Sequence, residues 1–341
     1  MIREDLRTVA EELKKARRVA IAAHLNPDGD CIGSALAMRL ILQKLGKEVE
    51  VFDRDKVPEM FMFLEGADTV RPLSEASGRY DALLCVDCAE LERIVNVHDH
   101  LQKVDLDRLL GLCDRLLQID HHATNPLYGD AHAVDGNASA ACVLVYDIMG
   151  MLGVDVDVKI AECIYTGVST DTGNFLQGNT NEGAMSVVAA LQCTGFDQPE
   201  IGRRLFAERK PEQVALITRA LNTLRYGADG HVTCMTISRR DMEETGAMEE
   251  HTDTIVNFGR DICDVKMNLL ARESSDGIKV SLRAIAPYAV RDVAVSFGGG
   301  GHEQACGCTV RDRSLQEVAD MVFEALQRAY ERQAAEFEKK A

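Results

Sequence analysis

Residues 19–30 read VAIAAHLNPDGD, an apolar run that passes directly into one histidine and two aspartates. The apolar run predicts a buried strand, and the apolar spacing that follows predicts a helix at about 32–45. In open α/β sheets, binding sites form at the carboxyl ends of the strands. Imidazole and carboxylate groups are also common metal ligands. The loop that contains His24, Asp28 and Asp30 is therefore a candidate metal site at such a strand end.

The segments that follow repeat this succession of strand and helix. Apolar runs predict further strands at 49–53, 80–87 and 116–120, and apolar spacing predicts helices at 3–16, 138–152, 157–169 and 181–193. Short strands that alternate with helices are typical of a parallel sheet. We therefore predict an α/β fold in which a mostly parallel N-terminal sheet is flanked by helices.

The pattern changes after residue 193, where a break at 193–199 precedes a charged segment. Beyond it, a strand at 232–237, a hairpin that turns at Asp276 and Gly277, and a final helix at about 314–331 predict a smaller C-terminal α/β domain. We predict a metal-binding catalytic domain over 1–194, a linker over 195–213 and a substrate-binding domain over 214–341.

Composition narrows the class of partner. The 341 residues carry a formal net charge of −17, whereas proteins that grip long nucleic acids usually present a basic face. This argues against a long duplex substrate but leaves phosphate substrates open, because bound divalent cations reverse the local field. The sequence shows neither a secretory signal nor an apolar run that could span a membrane. We therefore expect a cytoplasmic protein without a membrane partner.

The 11 cysteines are expected to be reduced thiols in that compartment. Cys85 and Cys88 have the spacing of a redox or zinc pair, but no second pair stands at zinc-ribbon spacing and Cys85 falls inside an apolar strand pattern. Packing is therefore the expected role of most of these thiols.

Later segments end in the same residue types as the first loop. Two more apolar runs end at Asp87 and at Asp120-His121-His122, and Asp171 stands among turn-forming residues after a predicted helix. An isolated aspartate at such a position most often caps a helix or a turn. Two histidines that follow an aspartate at a third strand end favour a functional site instead.

One arrangement of these side chains satisfies two octahedral ions. It gives the first ion His24 and Asp28, gives the second Asp30, His121 and Asp171, and lets Asp87 bridge them. Mixed imidazole and carboxylate ligands suit Mn²⁺ well, allow Mg²⁺, and fit Zn²⁺ or Co²⁺ less well. Two such ions about 3.5–4 Å apart stabilise an in-line displacement at phosphorus. The sequence therefore predicts a two-metal phosphoesterase.

A second candidate site lies at 298–302, where four glycines precede His302. Successive glycines let the backbone approach a ligand closely and turn its N–H groups inward as an anion nest. The apolar segments on both sides argue against a flexible linker. No Gly-Lys-Ser/Thr follows, which excludes a nucleotide P-loop. We therefore predict phosphate binding at this segment.

These motifs, in this order, resemble those of the DHH phosphoesterases. The loop from His24 to Asp30, the strand end at Asp87, the triplet at 120–122 and Asp171 resemble the four metal motifs of that family. The segment 298–302 resembles the signature of its DHH-associated C-terminal domain. The resemblance covers nearly the whole chain, and the length and the pair of domains are most similar to the bacterial nanoRNases.

The resemblance implies roles for residues in both domains and an active site in the cleft between them. His122 would contact the scissile phosphate or help the leaving oxygen, Asp120 would also be catalytic, and Arg283 would hold a terminal phosphate. The implied substrate-binding residues are Arg283, Gly299, Gly300, Gly301 and His302. The family also implies a homodimer through helices of the first domain as one option.

The implied function is hydrolysis of short oligoribonucleotides to mononucleotides, 3′-to-5′ or otherwise end-directed, and dephosphorylation of adenosine 3′,5′-bisphosphate to AMP. A phosphodiesterase for cyclic or linear di-adenosine nucleotides would use the same centre, so this alternative stays open. A manganese pyrophosphatase fits less well, because such enzymes resemble this chain in the first domain only. A non-catalytic nucleotide sensor would be expected to lack a metal ligand, and none of the six is missing.

Overall fold

A computed structural model describes residues 2–95, 100–252 and 254–339 of the chain. The chain divides into two units, Met1–Glu208 and Arg209–Ala341. His98, which the sequence places in a solvated loop because no strand precedes it, lies outside the described residues. His100, which shares that expectation, instead begins a helix.

The first unit contains one sheet of parallel strands. Its strands are β1 (Arg18–Ala22), β2 (Glu48–Asp53), β3 (Arg71–Pro72), β4 (Ala82–Val86), β5 (Leu116–Asp120) and β6 (Ala131–Val134). Their order is β3-β2-β1-β4-β5-β6, and every neighbouring pair is parallel. The predicted parallel sheet is confirmed. The two strands that the sequence does not predict, β3 and β6, are short edge strands that pair along one side only.

Helices cover both faces of this sheet. They are α1 (Ile2–Lys15), α2 (Gly29–Lys44), α3 (His100–Gly111), α4 (Ala141–Leu152), α5 (Val158–Asp171), α6 (Glu182–Leu191) and α7 (Gln198–Gly202). Along β1, Val19 and Ile21 join the larger hydrophobic cluster with α1, α2 and α4, whereas Ala20 and Ala22 join a second cluster with α3. Burial on both faces explains why β1 reads as a continuous apolar run.

The second unit contains a mixed sheet. Its strands are β7 (Arg225–Gly227), β8 (Val232–Ile237), β9 (Met267–Ser274), β10 (Gly277–Ala284), β11 (Gly300–Gly301) and β12 (Ala305–Val310). Their order is β11-β12-β10-β9-β8-β7; β8 and β9 are parallel and the other pairs are antiparallel. The predicted hairpin is β9–β10. Its turn is Ser275-Asp276, and Gly277 pairs with Ser274 as the first residue of β10.

Helices also cover the second sheet, and the last of them is longer than predicted. They are α8 (Pro211–Asn222), α9 (Arg239–Thr245), α10 (Ile255–Arg260), α11 (Arg291–Ser296) and α12 (Leu315–Glu338). The start of α12 is confirmed, because Ser314 and Glu317 form a capping box there. The helix continues past residue 331 because Phe337 packs edge-on against Tyr288, with ring centroids 5.2 Å apart.

The predicted linker, 195–213, is mostly helical. It contains α7, a π-helical turn at Arg203–Ala207 and the first residues of α8. The two units divide between Glu208 and Arg209. The predicted bounds of 1–194 and 214–341 stay a prediction.

All 11 cysteines are free thiols, and Cys85 and Cys88 are buried in the second hydrophobic cluster of the first unit, as packing requires. None of the helices in the described part of the chain is long and apolar enough to cross a membrane.

Candidate metal centre

His24 follows β1 with its ring almost fully buried. Its Nδ1 lies 2.8 Å from the carbonyl oxygen of Leu25, and because a carbonyl oxygen only accepts, Nδ1 carries the proton. In the neutral ring, Nε2 therefore has the lone pair. Nε2 is 3.5 Å from Oδ2 of Asp87 and 4.0 Å from Oδ1 of Asp28. This orientation is typical of a metal-ligating histidine.

Asp28 and Asp30 lie at the start of α2 but make different contacts. Oδ1 of Asp28 caps the helix by accepting from the N–H groups of Asp30 at 3.1 Å and Cys31 at 3.0 Å. The fully buried Asp30 carboxylate accepts from the N–H groups of Ala141 at 2.5 Å and Cys142 at 3.0 Å, at the start of α4. Because a helix N-terminus stabilises negative charge, α4 holds the Asp30 carboxylate in place.

Asp87 follows β4 in a left-handed backbone conformation, with φ of 51°, and its side chain is buried. Its Oδ1 is 3.4 Å from Nε2 of His121 and 3.7 Å from Nδ1 of His122, while Oδ2 faces His24. Among the described residues, Oδ1 has no hydrogen-bond partner. A buried carboxylate oxygen without a partner is unusual. Its position between two imidazoles is the one expected of a bridging ligand.

His121 faces three carboxylates. Its Nδ1 donates to the carbonyl oxygen of Ala138 at 3.2 Å, so Nε2 has the lone pair in the neutral ring. Nε2 lies 3.2 Å from Oδ2 of Asp171, 3.4 Å from Oδ1 of Asp87 and 3.8 Å from Oδ2 of Asp30. Asp171 is the last residue of α5, so a helix end rather than a strand end brings it to the centre.

The donor set suits divalent cations. The described residues contain three groups whose potential ligand atoms lie within 4.8 Å of one another: His24, Cys31 and Asp87; Asp87, His121 and His122; and Asp30, His121 and Asp171. Of the six predicted metal ligands, only Asp28 is outside these groups. Carboxylate oxygens and imidazole nitrogens are the donors that Mn²⁺ and Mg²⁺ sites use. The predicted residues therefore converge, and their assignment to particular ions stays a prediction.

Buried carboxylates make this centre attractive to positive charge. Burial raises the pKa of Asp30 to about 7, and the charge of Asp87 acts in the same direction. Burial opposes a charged His121 ring, but Asp87, Asp30 and Asp171 outweigh it and raise the pKa of His121 to about 10. The carboxylates that attract a proton to the imidazole also attract a metal ion, and a bound ion takes the place of that proton.

Asp120 and His122 form a pair beside the metal ligands. Nδ1 of His122 donates to Oδ1 of Asp120 at 2.8 Å, and the side-chain amide of Asn125 donates to Oδ2 of Asp120. Asp120 is fully buried, whereas His122 is partly exposed. The hydrogen bond to Asp120 fixes the orientation of the His122 ring. The sequence analysis missed Asn125, which binds the other oxygen of the Asp120 carboxylate. Its position three residues after His122, in a turn-rich loop, was the available sequence signal.

Sequence reasoning also missed the small residues that let α2 and α5 pack closely. A β-carbon at Gly167 would lie 2.6 Å from Oδ1 of Asp30 and 2.3 Å from Sγ of Cys142. A β-carbon at Gly33 would lie 2.5 Å from the backbone oxygen of Cys163. Only glycine fits at such close approaches. The available signal was a glycine inside each predicted helix, Gly33 near the start of the first and Gly167 near the end of the second.

The second unit contains the predicted substrate-binding residues. Arg283 lies on the less buried face of β10, and its Nη1 donates to the backbone oxygen of Leu282 at 2.9 Å. Arg283 also stands between Asn268 of β9 and Ala305 of β12 in the sheet register. The strands on both sides therefore hold the backbone from which the Arg283 side chain extends.

The glycine segment 298–301 is not an open loop, because its last two residues form a hairpin with β12. Gly300 and Gly301 pair with Gly307 and Cys306 as strand β11. The N–H groups of Gly298 and Gly299 donate to carbonyl oxygens at the end of α11, and that of His302 donates to the backbone oxygen of Ala305. These three N–H groups are satisfied by the protein, so the anion-nest interpretation is wrong for them. The glycines are needed for close strand pairing: a β-carbon at Gly299 would lie 2.1 Å from the oxygen of Gly307.

Comparison with known proteins places this centre in a family. Residues 18–168 match the DHH family, N-terminal domain, and residues 230–329 match the DHHA1 domain. The chain is 33% identical to the bifunctional oligoribonuclease and PAP phosphatase NrnA of Thermus thermophilus, over 95% of this chain and 94% of that protein. It is 25% identical to the protein of the same name from Bacillus subtilis, over 89% of this chain and 93% of that protein.

A solved structure has the same fold. An exopolyphosphatase-related protein from Bacteroides fragilis, 24% identical, aligns with a TM-score of 0.87 over 97% of each chain. The two family matches lie in different units of the chain. The DHH match, residues 18–168, contains five of the six predicted metal ligands, all but Asp171. The chain therefore belongs to the DHH family of divalent-metal-dependent phosphoesterases and combines its N-terminal domain with a DHHA1 domain.

Proposed function

We propose that this chain hydrolyses short oligoribonucleotides to mononucleotides and removes the 3′-phosphate of adenosine 3′,5′-bisphosphate to leave AMP. One observation carries the proposal: the buried Asp87 carboxylate lies between Nε2 of His24, at 3.5 Å, and Nε2 of His121, at 3.4 Å. Similarity over nearly the whole chain to two relatives named oligoribonuclease and PAP phosphatase supports the substrate class. We propose the cytoplasm as its compartment.

Two divalent cations fit the donor set, and we propose Mn²⁺ with Mg²⁺ as a substitute. The residues that would hold them are His24, Asp28 and Asp87 for one ion, and Asp30, His121, Asp171 and Asp87 for the other. When bound, the ions supply positive charge at the phosphate oxygens and activate the attacking water. The chain itself fixes the ligands: α4 holds Asp30, and backbone carbonyls orient both histidines.

His122 is the residue that we propose to touch the reacting phosphate. Because Asp120 accepts the hydrogen bond from Nδ1 at 2.8 Å, the ring is held in one orientation. A protonated ring donates from Nε2 to a phosphate oxygen or to the leaving oxygen, where negative charge develops. Asp120 is then a positioning residue for His122.

Arg283, the glycines at 299–301 and His302 are proposed to bind the part of the substrate that does not react. A guanidinium is well suited to a terminal phosphate, because it donates two parallel hydrogen bonds. The net charge of −17 disfavours long nucleic acids, whose affinity depends on neutralising many phosphates. A short oligonucleotide or a bisphosphonucleotide needs only a few such contacts. A homodimer is the assembly that we propose.

The test is turnover by the purified protein with Mn²⁺. The panel contains 5′-phosphorylated RNA from two to about twenty nucleotides, a range that exposes the expected weakness on long strands, with adenosine 3′,5′-bisphosphate, cyclic di-AMP and pyrophosphate. Mononucleotides from the shortest RNAs and phosphate from the bisphosphate support the proposal. The matched variants are Asp87→Asn, expected to be inactive, and Asp107→Asn on the exposed face of α3, expected to be unchanged.

Other results would overturn parts of the proposal. Preference for cyclic di-AMP would assign the same centre to a cyclic-dinucleotide phosphodiesterase, and preference for pyrophosphate would assign it to a pyrophosphatase. Absence of turnover on the whole panel, with Mn²⁺ binding demonstrated by calorimetry, would favour a nucleotide sensor.

A further inference from the structure

We propose that Cys31 is an additional ligand at the position of His24 and Asp87, and that this position therefore accepts thiophilic divalent ions. The inference deepens the proposed function, since it concerns the same metal centre. It predicts that Co²⁺, Cd²⁺ and Zn²⁺ bind there through a thiolate, whereas Mn²⁺ and Mg²⁺ bind through oxygen and nitrogen donors only.

The geometry brings three different donors together. Sγ of Cys31, a ring nitrogen of His24 and a carboxylate oxygen of Asp87 lie within 4.8 Å of one another, and all three residues are buried. Typical metal–sulfur and metal–nitrogen bonds of about 2.3 and 2.1 Å place opposite ligands of one ion about 4.4 Å apart. The cluster is therefore close to the size of a coordination sphere before any ion is bound.

A second observation concerns the Asp87 carboxylate as a whole. Asp87 is only 2% exposed, its Oδ2 lies 3.5 Å from Nε2 of His24, and its Oδ1, which faces His121 and His122, has no hydrogen-bond partner among the described residues. A buried carboxylate is strongly disfavoured unless positive charge compensates it. The carboxylate beside Cys31 is thus prepared for an ion, and the thiol is within reach of that ion.

The contacts of Sγ are compatible with ligation. It accepts from the backbone N–H of His24 at 3.2 Å, so the sulfur is held close to the histidine of the same ligand group. Its contact with the backbone oxygen of Val86 is long, at 4.0 Å. On binding, the metal–sulfur bond forms, the S–H bond breaks and the proton passes to the solvent. No oxidant or other reactant is required.

The alternative ligand at this position, Asp28, explains why the ion identity should matter. Oδ1 of Asp28 already caps α2, and it lies 4.0 Å from Nε2 of His24. Hard ions prefer the carboxylate, whereas soft and borderline ions prefer the sulfur. Asp28 and Cys31 stand on opposite sides of Asp30 in the sequence. They offer an ion at this position either a hard carboxylate ligand or a soft sulfur ligand.

The experiment uses Co²⁺ as a spectroscopic probe, because a cobalt–thiolate bond gives a charge-transfer band in the near ultraviolet. The background is the full chain with Cys193→Ser and Cys263→Ser, which removes the two exposed thiols. Metal-free protein is titrated with Co²⁺. The expected result is a band that saturates with one equivalent and is absent from Cys31→Ser.

Cys142→Ser is the matched control. Cys142 is also fully buried, and its backbone N–H donates to the Asp30 carboxylate. Its Sγ accepts from the hydroxyl of Ser34 at 3.2 Å and belongs to none of the ligand groups of the described residues. The band should survive this substitution. No band in the parent protein, or a band that persists in Cys31→Ser, would overturn the proposal. Thermal melting of each variant without metal shows that it is folded.

A competition assay separates this inference from the proposed function. Replacing Cys31 with serine should weaken Cd²⁺ binding about tenfold or more and leave Mn²⁺ binding within about twofold. Equal weakening of both ions would contradict a thiolate ligand. A cobalt–sulfur band without phosphoesterase turnover would sustain the inference and reject the function. Turnover with Mn²⁺ but no band would do the reverse.

Discussion

Gly167 lies so close to the carboxylate of Asp30 that a β-carbon at position 167 would stand 2.6 Å from Oδ1. The two residues belong to α5 and α2, and Oδ1 accepts from the N–H of Cys142 on a third helix, α4. Three helices therefore confine a carboxylate that we expect to bind metal.

Gly167→Ala should lower the free energy of unfolding by about 1–3 kcal/mol, because the added methyl group overpacks a closed site. It should also weaken Mn²⁺ binding about tenfold by displacing Asp30. Denaturant unfolding and calorimetric titration measure the two effects. Gly150→Ala is the control: Gly150 lies in α4 with open space around its β position within the described structure, and alanine there should stabilise by about 0.5–1 kcal/mol. Similar behaviour of both variants would contradict the packing argument.

Asp120→Asn should lower kcat about 10–100-fold and leave Mn²⁺ affinity nearly unchanged, because Asp120 orients His122 and is outside the ligand groups. An asparagine at position 120 would also replace the carboxylate that accepts from the Asn125 amide with a second amide group. Asp87→Asn, in contrast, should lose Mn²⁺ binding together with activity. Steady-state kinetics and calorimetry distinguish the two variants. Loss of Mn²⁺ binding in Asp120→Asn would show that Asp120 belongs to the metal ligands.

Mn²⁺ should raise the melting temperature, and a chelator should reverse the rise. An ion that binds only the folded state at one hundred times its Kd adds about 2.7 kcal/mol to the free energy of unfolding. In Asp87→Asn, the rise should shrink or vanish, because the carboxylate between the two histidines is lost. Differential scanning fluorimetry at several Mn²⁺ concentrations tests this. Asp107→Asn should respond to Mn²⁺ as the parent does, and an unchanged rise in Asp87→Asn would refute the bridging role.

Glu50 should stabilise the fold in a pH-dependent way. Burial opposes its charged form, but hydrogen bonds from Tyr80 and Arg18 and the charge of Arg71 lower the pKa of Glu50 below its usual value. A lowered folded-state pKa means that the stabilisation is present above the unfolded-state pKa of about 4.3 and is lost as the pH falls through the folded-state value. Glu50→Gln should therefore reduce the free energy of unfolding by about 1 kcal/mol at pH 7.

The pH series supplies the check on Glu50. The difference between parent and Glu50→Gln, measured by urea unfolding, should shrink as the pH falls below about 4.3 and disappear once the pH is below the folded-state pKa of Glu50. Glu48→Gln is the control on the same strand, since Glu48 is 82% exposed and 3.9 Å from Arg18. A difference that grows as the pH falls would have the wrong sign and would reject the ion-pair explanation.

Arg283→Met should raise KM for adenosine 3′,5′-bisphosphate about tenfold with little change in kcat, because a phosphate contact remote from the reacting bond contributes to binding. Lys279→Met is the control, since Lys279 lies on the same face of β10 and contacts Glu249 at 3.5 Å. Initial-rate kinetics compare the two variants. An equal rise of KM in both would indicate a general charge effect, and a fall of kcat alone would place Arg283 at the reacting phosphate.

The sequence by itself determined the features that depend on near neighbours. The apolar run of β1 marks a strand buried on both faces, and Ser314 marks a helix start, because strand burial and helix capping involve residues within a few positions of each other. The helix α2 begins at Gly29, earlier than the predicted residue 32. The order of the polar strand ends also predicted which residues meet, because parallel strands present their carboxyl ends at one edge of a sheet.

Only the tertiary structure decided the contacts between distant segments. Asp30 bonds Ala141 across 111 residues, and Cys31 lies beside Asp87; neither contact has a local pattern that would reveal it. The glycines of 298–301 look like an open loop in sequence, yet Gly300 and Gly301 pair with Gly307 and Cys306 of β12. The physical reason is the same in each case: side-chain spacing encodes periodicity and caps, whereas the partner of a buried group is selected by packing among elements that the chain brings together only when folded.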